Sequence, residues 1–238
     1  DLIGTYIPAS GATTIEALQI LDRIDLSGVD DTDRPLAVGA ALLAAFEDRE
    51  TAWNDPRPPA GDAAWIVSTE RAEERAAEIR ALLRAGRAAT PGAAASRPEP
   101  AHTTHLSVVD RDGTAVAMTQ SLGPSGGSGV VTPGLGFLYA TTLGGYLGPV
   151  EPGDRPWSSQ SPLIAERAGA TAYVLGGAGA RRILSALVQT VVRIETEGAT
   201  AEAALAAARF HPAGSGWTFE LAEVMPATPE ALERVRAA

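Results

Sequence analysis

Thr103-Thr104-His105-Leu106-Ser107-Val108-Val109-Asp110 is the stretch on which the fold turns. A polar Thr-Thr-His opens a run of β-branched and aliphatic residues, which favours an extended strand. Just upstream, residues 86–102 form a linker rich in Ala, Pro, Gly and Ser. A threonine at a strand start is ordinary. A threonine that becomes a new N-terminus is different, because its own α-amine can serve as base for its own hydroxyl. Exposed flexible segments tolerate processing cuts, so the linker makes Thr103 a candidate.

Downstream, the period is extended. Leu106–Val109 and Thr114–Thr119 flank Asp110-Arg111-Asp112-Gly113, a hairpin signal with Gly where positive φ is needed. A glycine-rich tract follows, from Gly123 to Gly136, and then a predicted strand, Phe137–Ala140. A further strand, Ala172–Leu175, runs into Gly176-Gly177-Ala178-Gly179-Ala180 and a long apolar helix over 180–197. A short helix over 201–208, a strand over 217–223 and a helix over 228–237 complete this part.

Upstream, the period is helical. Ile15, Leu18, Leu21 and Ile24 recur every three residues in a helix over 13–24. Asp33-Arg34-Pro35 opens a second helix over 35–49. Asn54-Asp55-Pro56-Arg57-Pro58-Pro59 breaks the chain before a third over 69–85. The expectation is an α+β protein: residues 1–102 helical and ending in the linker, residues 103–238 mixed strand and helix.

Composition narrows the function classes. The chain has 238 residues, 45% hydrophobic but only 5% aromatic, so its core is aliphatic and Ala-rich. Net charge is −10 and pI about 4.8, which argues against nucleic acid or an anionic membrane as partner. All 19 basic residues are Arg. There is no Cys, which excludes disulfides, thiolate catalysis and Cys-ligated metals. The histidines, His102, His105 and His211, fit no zinc spacing, so no metal or other cofactor is expected. No apolar run reaches the roughly 18 residues of a membrane span, and no leader is visible. A cytoplasmic protein is the expectation, with secretion as the alternative.

Three constellations could carry chemistry. The Gly176–Ala180 turn joins a strand to a helix N-terminus, where free backbone N–H groups can hold a phosphate or an oxyanion. It is neither a dinucleotide fingerprint nor a P-loop, and a plain tight connection reads equally well. Ser158-Ser159, within Arg155-Pro156-Trp157-Ser158-Ser159-Gln160-Ser161-Pro162, can hold a carboxylate by neutral hydrogen bonds. The ordinary reading there is a polar loop. His105 reads as a structural strand residue, and His211 as part of a turn after Arg209-Phe210.

Taken together, the pieces resemble the γ-glutamyltranspeptidase family of N-terminal-nucleophile hydrolases. The matching runs are Thr103–Asp110, Asp112-Gly113, Ala115-Val116-Ala117 and Ser128-Gly129-Val130-Val131. The loop at Arg155–Pro162 is similar to the family's Arg-Pro-Leu-Ser-Ser-Met-Ser-Pro. Leu175–Ile183 is similar to its Gly-Ser-Pro-Gly-Gly-Ser-Arg turn, and Ala208-Arg209-Phe210-His211 to its Pro-Arg-Phe-His. Pro8-Ala9-Ser10-Gly11-Ala12 resembles the Pro-Ser-Ser-Gly-Gly segment of the large subunit.

The resemblance implies a four-layer αββα sandwich and self-cleavage between His102 and Thr103. Residues 1–102 would then be the C-terminal part of a large subunit, and residues 103–238 most of a small one, partners from one precursor. Thr103 would be the nucleophile, Ser121 the hydroxyl supporting it, and the N–H groups of Gly179 and Ala180 the oxyanion hole. Ser158 and Ser159 would hold a substrate carboxylate. The family binds the γ-glutamyl ammonium with an Asn, a Gln or Glu, and an Asp; Gly123, Thr142 and Gly145 fall at those positions here.

The expected function is therefore an autoprocessing Ntn hydrolase or acyltransferase acting on a small molecule that keeps a carboxylate but lacks the glutamyl ammonium. The alternatives are γ-glutamyl transfer or glutathione hydrolysis, a natural-product homologue cleaving a C–C bond, a cephalosporin-type acylase, and an unprocessed non-catalytic relative.

Overall fold

The computed structural model describes residues 1–31, 33–52, 64–86, 103–123, 126–143, 149, 151–213 and 216–220. The strands are β1 (Leu2–Gly4), β2 (Thr103–Val109), β3 (Ala115–Ser121), β4 (Leu163–Arg167), β5 (Ala170–Leu175), β6 (Arg209–Ala213) and β7 (Gly216–Glu220). The helices are α1 (Gly11–Ile24), α2 (Arg34–Ala52), α3 (Thr69–Arg84), α4 (Arg182–Thr196) and α5 (Ala201–Ala206). Two compact units emerge. One takes in Asp1–Ala12 and the described parts of Pro98–Leu184; the other takes in Thr13–Thr51 and the described parts of Ala63–Arg97 and Ser185–Ala238. Each unit draws on chain from both sides of Thr103.

The first unit is built of strands. β1, β4 and β5 form an antiparallel sheet in that order, and β2 pairs with β3 as a hairpin. The hairpin turn is set by Asp110: its Oδ1 accepts the N–H groups of Asp112 and Thr114, both at 2.9 Å, while Gly113 takes φ +88°. Register is fixed by this turn, and strand alternation then sorts the side chains. Thr103, His105, Ser107, Thr119 and Ser121 share one face, and Ser107 Oγ on that face donates to the Val174 carbonyl of β5 at 3.2 Å. The apolar Leu106, Val108, Val116 and Met118 lie on the opposite, exposed face. The predicted strand Phe137–Ala140 is reduced to one isolated bridge, Val131 to Leu138. Closely spaced glycines at Gly129, Gly134 and Gly136, all at positive φ, keep this stretch from a continuous ladder.

The second unit is helical. Most of α2 is buried, including Leu36, Val38, Leu42 and Phe46 with five alanines between them. Its small residues let neighbours come close: a Cβ on Gly39 would collide with the Trp217 ring. Ser68 caps α3 by accepting the Arg71 N–H at 3.1 Å. α4 buries Leu187, Val188, Val191 and Val192, and grips β6 through Gln189, whose Nε2 donates to the Phe210 carbonyl at 2.8 Å while its Oε1 accepts the Phe210 N–H at 3.2 Å. His211, expected in a turn, lies instead on β6. Its Nδ1 meets Ser185 Oγ at 2.7 Å and its ring meets Phe46 edge-on.

A buried charge cluster joins α1, α2 and α3. Asp48, 1% exposed, accepts from Arg71 Nε at 2.6 Å and from Arg75 Nε at 3.1 Å, and each guanidinium makes a second bond to it. Burial alone would raise the Asp48 carboxyl, but hydrogen bonds from Arg71, Arg75 and Glu16 hold it well below the usual carboxylate range. Glu16 is fully buried, and no N–H or hydroxyl donor reaches its oxygens among the described residues. Desolvation, then the adjacent Asp48, push its carboxyl up to about 10, so it stays protonated and donates to Asp48.

The sign of the pH dependence follows. The unfolded chain releases the Glu16 proton near its ordinary value of 4.5, whereas the folded chain keeps it to about 10. Between those limits the unfolded state binds fewer protons, so Glu16 costs progressively more stability as pH rises. Glu16→Gln should match the parent near pH 4.5 and flatten the decline in Tm between pH 6 and pH 9. Parallel Tm–pH curves for parent and variant would contradict this.

Candidate active site

The hairpin places Thr103 opposite Ser121 at its open end. Thr103 Oγ1 donates to Ser121 Oγ at 3.2 Å, and the same oxygen accepts the Gly123 N–H at 3.2 Å. One hydroxyl thus fixes the Thr103 side chain and the chain leaving β3. His102 lies outside the described residues.

Two residues along the same face, the His105 imidazole spans the hairpin. Its Nδ1 is 2.8 Å from Thr119 Oγ1 and its Nε2 is 3.0 Å from Ser107 Oγ. Ser107 has one proton and gives it to Val174, so its oxygen takes the His105 Nε2–H and Nδ1 accepts from Thr119. The ring is therefore the neutral Nε2–H tautomer, in keeping with desolvation lowering its pKa. It lies against Gly176, where an added Cβ would overlap the imidazole atoms.

These contacts set how β2 meets the end of β5. Ser107 meets Val174, and His105 meets Gly176. The two contacts run in opposite directions along the chain, from Ser107 back toward Thr103 on β2 and from Val174 forward into the Gly176–Ala180 turn that follows β5. Gly179 takes φ +134° and Ala180 φ +55°. Among the described residues, neither amide N–H donates a hydrogen bond, while their carbonyls accept from Arg182 and Ile183 at 3.1 Å to start α4. The first of these conformations is essentially reserved for glycine. The second is left-handed and costs an L-residue about 1–2 kcal/mol. Ala180→Gly should therefore stabilise the fold by about 0.5–1 kcal/mol, the relief exceeding glycine's greater unfolded freedom. Urea unfolding of parent and variant checks the sign, and a less stable variant would contradict it.

The Ser158-Ser159 loop is held by the segment before α1. Ser158 N–H donates to the Pro8 carbonyl at 3.0 Å, its carbonyl accepts Ser10 Oγ at 2.7 Å, and Ser10 N–H donates to the Gln160 carbonyl at 2.9 Å. Arg155 Nη2 adds a bond to the Ile7 carbonyl at 3.2 Å. The turn that aims Ser10 requires Gly11, since a Cβ there would strike the Thr5 backbone. Ser158 Oγ accepts the Gln160 N–H at 3.1 Å, which leaves its proton free to point elsewhere. Sequence reading singled out the two serines but not buried Ser10, which fixes them. The only signal was its place in the Pro8–Ala12 segment.

Gly123 and Thr142 are brought together. Gly123 is buried at φ +84°, and a Cβ there would lie 2.8 Å from Thr141 Oγ1 and 3.4 Å from the Thr142 nitrogen. Any side chain at 123 is thus both strained and crowded. Gly145 lies outside the described residues. Among the described residues no group of three or more His, Asp or Glu could hold a metal ion, and no helix is long and apolar enough to cross a membrane.

The sequence profile described as gamma-glutamyltranspeptidase matches residues 1–235. The chain belongs to the γ-glutamyltranspeptidase family. Among its relatives, the acylase ACY 1 proenzyme of Pseudomonas sp. (strain V22) is 32% identical over 95% of this chain and 41% of its own length. The glutathione hydrolase proenzyme of Escherichia coli (strain K12) is 31% identical over 86% of this chain and 38% of its own. The chain thus spans about two fifths of these curated relatives. The crystal structure of cephalosporin acylase from Bacillus halodurans matches 99% of this chain and 43% of its own at TM-score 0.72 and 21% identity, a shared fold of mixed helices and sheets. Within the γ-glutamyltranspeptidase family, then, relatives of comparable identity carry the names of an acylase and of a glutathione hydrolase.

Proposed function

We propose that this γ-glutamyltranspeptidase-family chain is part of an autoprocessing acyl-transfer enzyme whose nucleophile is Thr103. The observation that carries the reading is the Thr103 Oγ1 to Ser121 Oγ hydrogen bond at the first residue of β2, directly after the linker. A cut between His102 and Thr103 frees an α-amine with a reference pKa of about 7.7–8.0, suited to take the Oγ proton near neutral pH. Thr103 Oγ then attacks the acyl carbon, and the carbonyl oxygen gains negative charge. The Gly179 and Ala180 N–H groups meet that charge; one such donor is worth about 3–4 kcal/mol. The amine returns its proton to the leaving group, and water or an amine acceptor releases the acyl group. The segments before and after the cut remain partners as two subunits of one precursor. The fold expected for such an enzyme is the family's four-layer αββα sandwich.

The acyl group keeps a carboxylate, held by Ser158 and Ser159, and lacks the glutamyl ammonium. Gly123 and Thr142 offer that ammonium no anion. An unpaired partly buried charge costs about 2–5 kcal/mol, and each 1.4 kcal/mol is about tenfold. The acylase relative supports a substrate outside the γ-glutamyl series. Glutaryl-p-nitroanilide is γ-glutamyl-p-nitroanilide without its amino group, so the protein expressed from its complete gene should cleave the glutaryl compound with kcat/KM at least about tenfold higher. A preference for the γ-glutamyl compound would instead support γ-glutamyl transfer.

A further inference from the structure

We propose that His105 is a positioning residue, whose imidazole, wedged between Thr119, Ser107 and Gly176, sets the distance from Thr103 Oγ to the Gly179 and Ala180 amides. The inference rests on the reading of Thr103 as nucleophile. It adds a residue that touches neither substrate nor reacting atom and acts through the backbone.

The nucleophile sits on β2, whereas the oxyanion donors sit on the turn leaving β5. No ladder hydrogen bond joins those strands, since β2 pairs with β3 and β5 pairs with β4. Their separation near the site must be set by side chains. His105 is a side chain on the nucleophile's own face that meets the turn at Gly176, two residues from Thr103 and three before Gly179. Its orientation leaves no freedom: Thr119 fixes Nδ1 at 2.8 Å and Ser107 fixes Nε2 at 3.0 Å. Ser107 in turn bonds the Val174 carbonyl at 3.2 Å, two residues before Gly176. A rigid planar ring held at both nitrogens is a spacer of defined thickness. Gly176 carries no positive φ that would call for glycine. Its lack of a side chain is explained by the ring, which occupies the place a Cβ would take. A misplacement of about 1 Å in such a site lowers rate by about a hundredfold, while binding of a distant carboxylate is unaffected.

The test is a double-mutant cycle between His105→Ala and Gly176→Ala in the protein from its complete gene. Glutaryl- and γ-glutamyl-p-nitroanilide serve as probes; rates of the His105 and Gly176 variants are normalised to chain beginning at Thr103, so that uncut protein does not count, and the rate of Thr103→Ala is normalised to total chain. Each single variant should lower kcat about tenfold to a hundredfold with KM changed less than about threefold. The double variant should be no worse than the poorer single one, because the added methyl enters the space the ring leaves. His105→Gln, which can keep bonds to Ser107 and Thr119, should recover part of the lost kcat. Losses that multiply in the double variant, a change confined to KM, or parental kcat in either single variant would overturn the proposal. Thr103→Ala is the control. If it is inactive while His105→Ala is parental, only the role of His105 fails; if Thr103→Ala stays active, the nucleophile assignment fails as well.

Discussion

Thr103→Ala should leave the protein uncut and lower kcat for glutaryl-p-nitroanilide by roughly four orders of magnitude or more. In the proposed mechanism one hydroxyl attacks both the peptide bond before residue 103 and the substrate, so its removal by alanine should abolish processing and turnover together. Ser121 cannot substitute for it. Its hydroxyl faces Thr103 and accepts from Gly123, and it lies within the chain, with no α-amine of its own to act as base. Thr103→Ser, which keeps hydroxyl and amine, should retain part of both activities. Gel analysis after expression reads the cut, and initial rates read the chemistry. An uncut Thr103→Ala protein with parental rate would separate the two functions and contradict the assignment.

The largest expected effect on stability comes from Asp48→Ala, which should cost about 3–5 kcal/mol. The carboxylate is 1% exposed and holds two guanidinium groups, each by two bonds. Without it, Arg71 and Arg75 are left beside a buried Glu16, with the exposed Glu47, Glu74 and Glu78 as remaining carboxylate partners among the described residues. Asp48→Asn should cost less than Asp48→Ala, because its oxygen still accepts from one arginine. The pH dependence has two arms. Asp48 has a depressed folded pKa, so its contribution is present above its ordinary value of 3.8 and is lost as pH falls below it. Glu16 acts in the opposite sense, losing stability as pH rises. The network should therefore be most stable in mildly acidic solution, and urea unfolding from pH 3 to pH 9 reads both arms. A cost for Asp48→Ala below about 1 kcal/mol, the range of an exposed pair, would contradict the burial argument.

Much of this was legible in the sequence, for identifiable reasons. The β2–β3 hairpin was found because Asp110 and Gly113 are strong turn residues between alternating strands. Its register, once the turn is known, pairs Thr103 with Ser121 and His105 with Thr119. Helices α1, α2 and α3 were found from their period. The phase of α1 was less legible: a stripe of Ile15, Leu18, Leu21 and Ile24 would leave position 16 outside, yet Glu16 is buried and Ile15 only partly so. A carboxyl buried by pairing with an aspartate in the last turns of another helix has no local signature. β1, β4 and β6 were missed. β1 has three residues, and β6 contains Pro212, which counts against a strand away from a sheet edge. At the site, hydroxyls and glycines were visible as residue types. The wedge of His105 against Gly176 was not, because it joins strands that share no ladder.

The most direct measurement is to trap the acyl-enzyme. The protein from its complete gene is mixed with glutaryl-p-nitroanilide, denatured in acid during the burst, digested and mapped by mass spectrometry. The account predicts a peptide whose first residue is Thr103, carrying one glutaryl group on that residue. A single chain continuous through residues 102 and 103, or a glutaryl group on any other side chain, would contradict it.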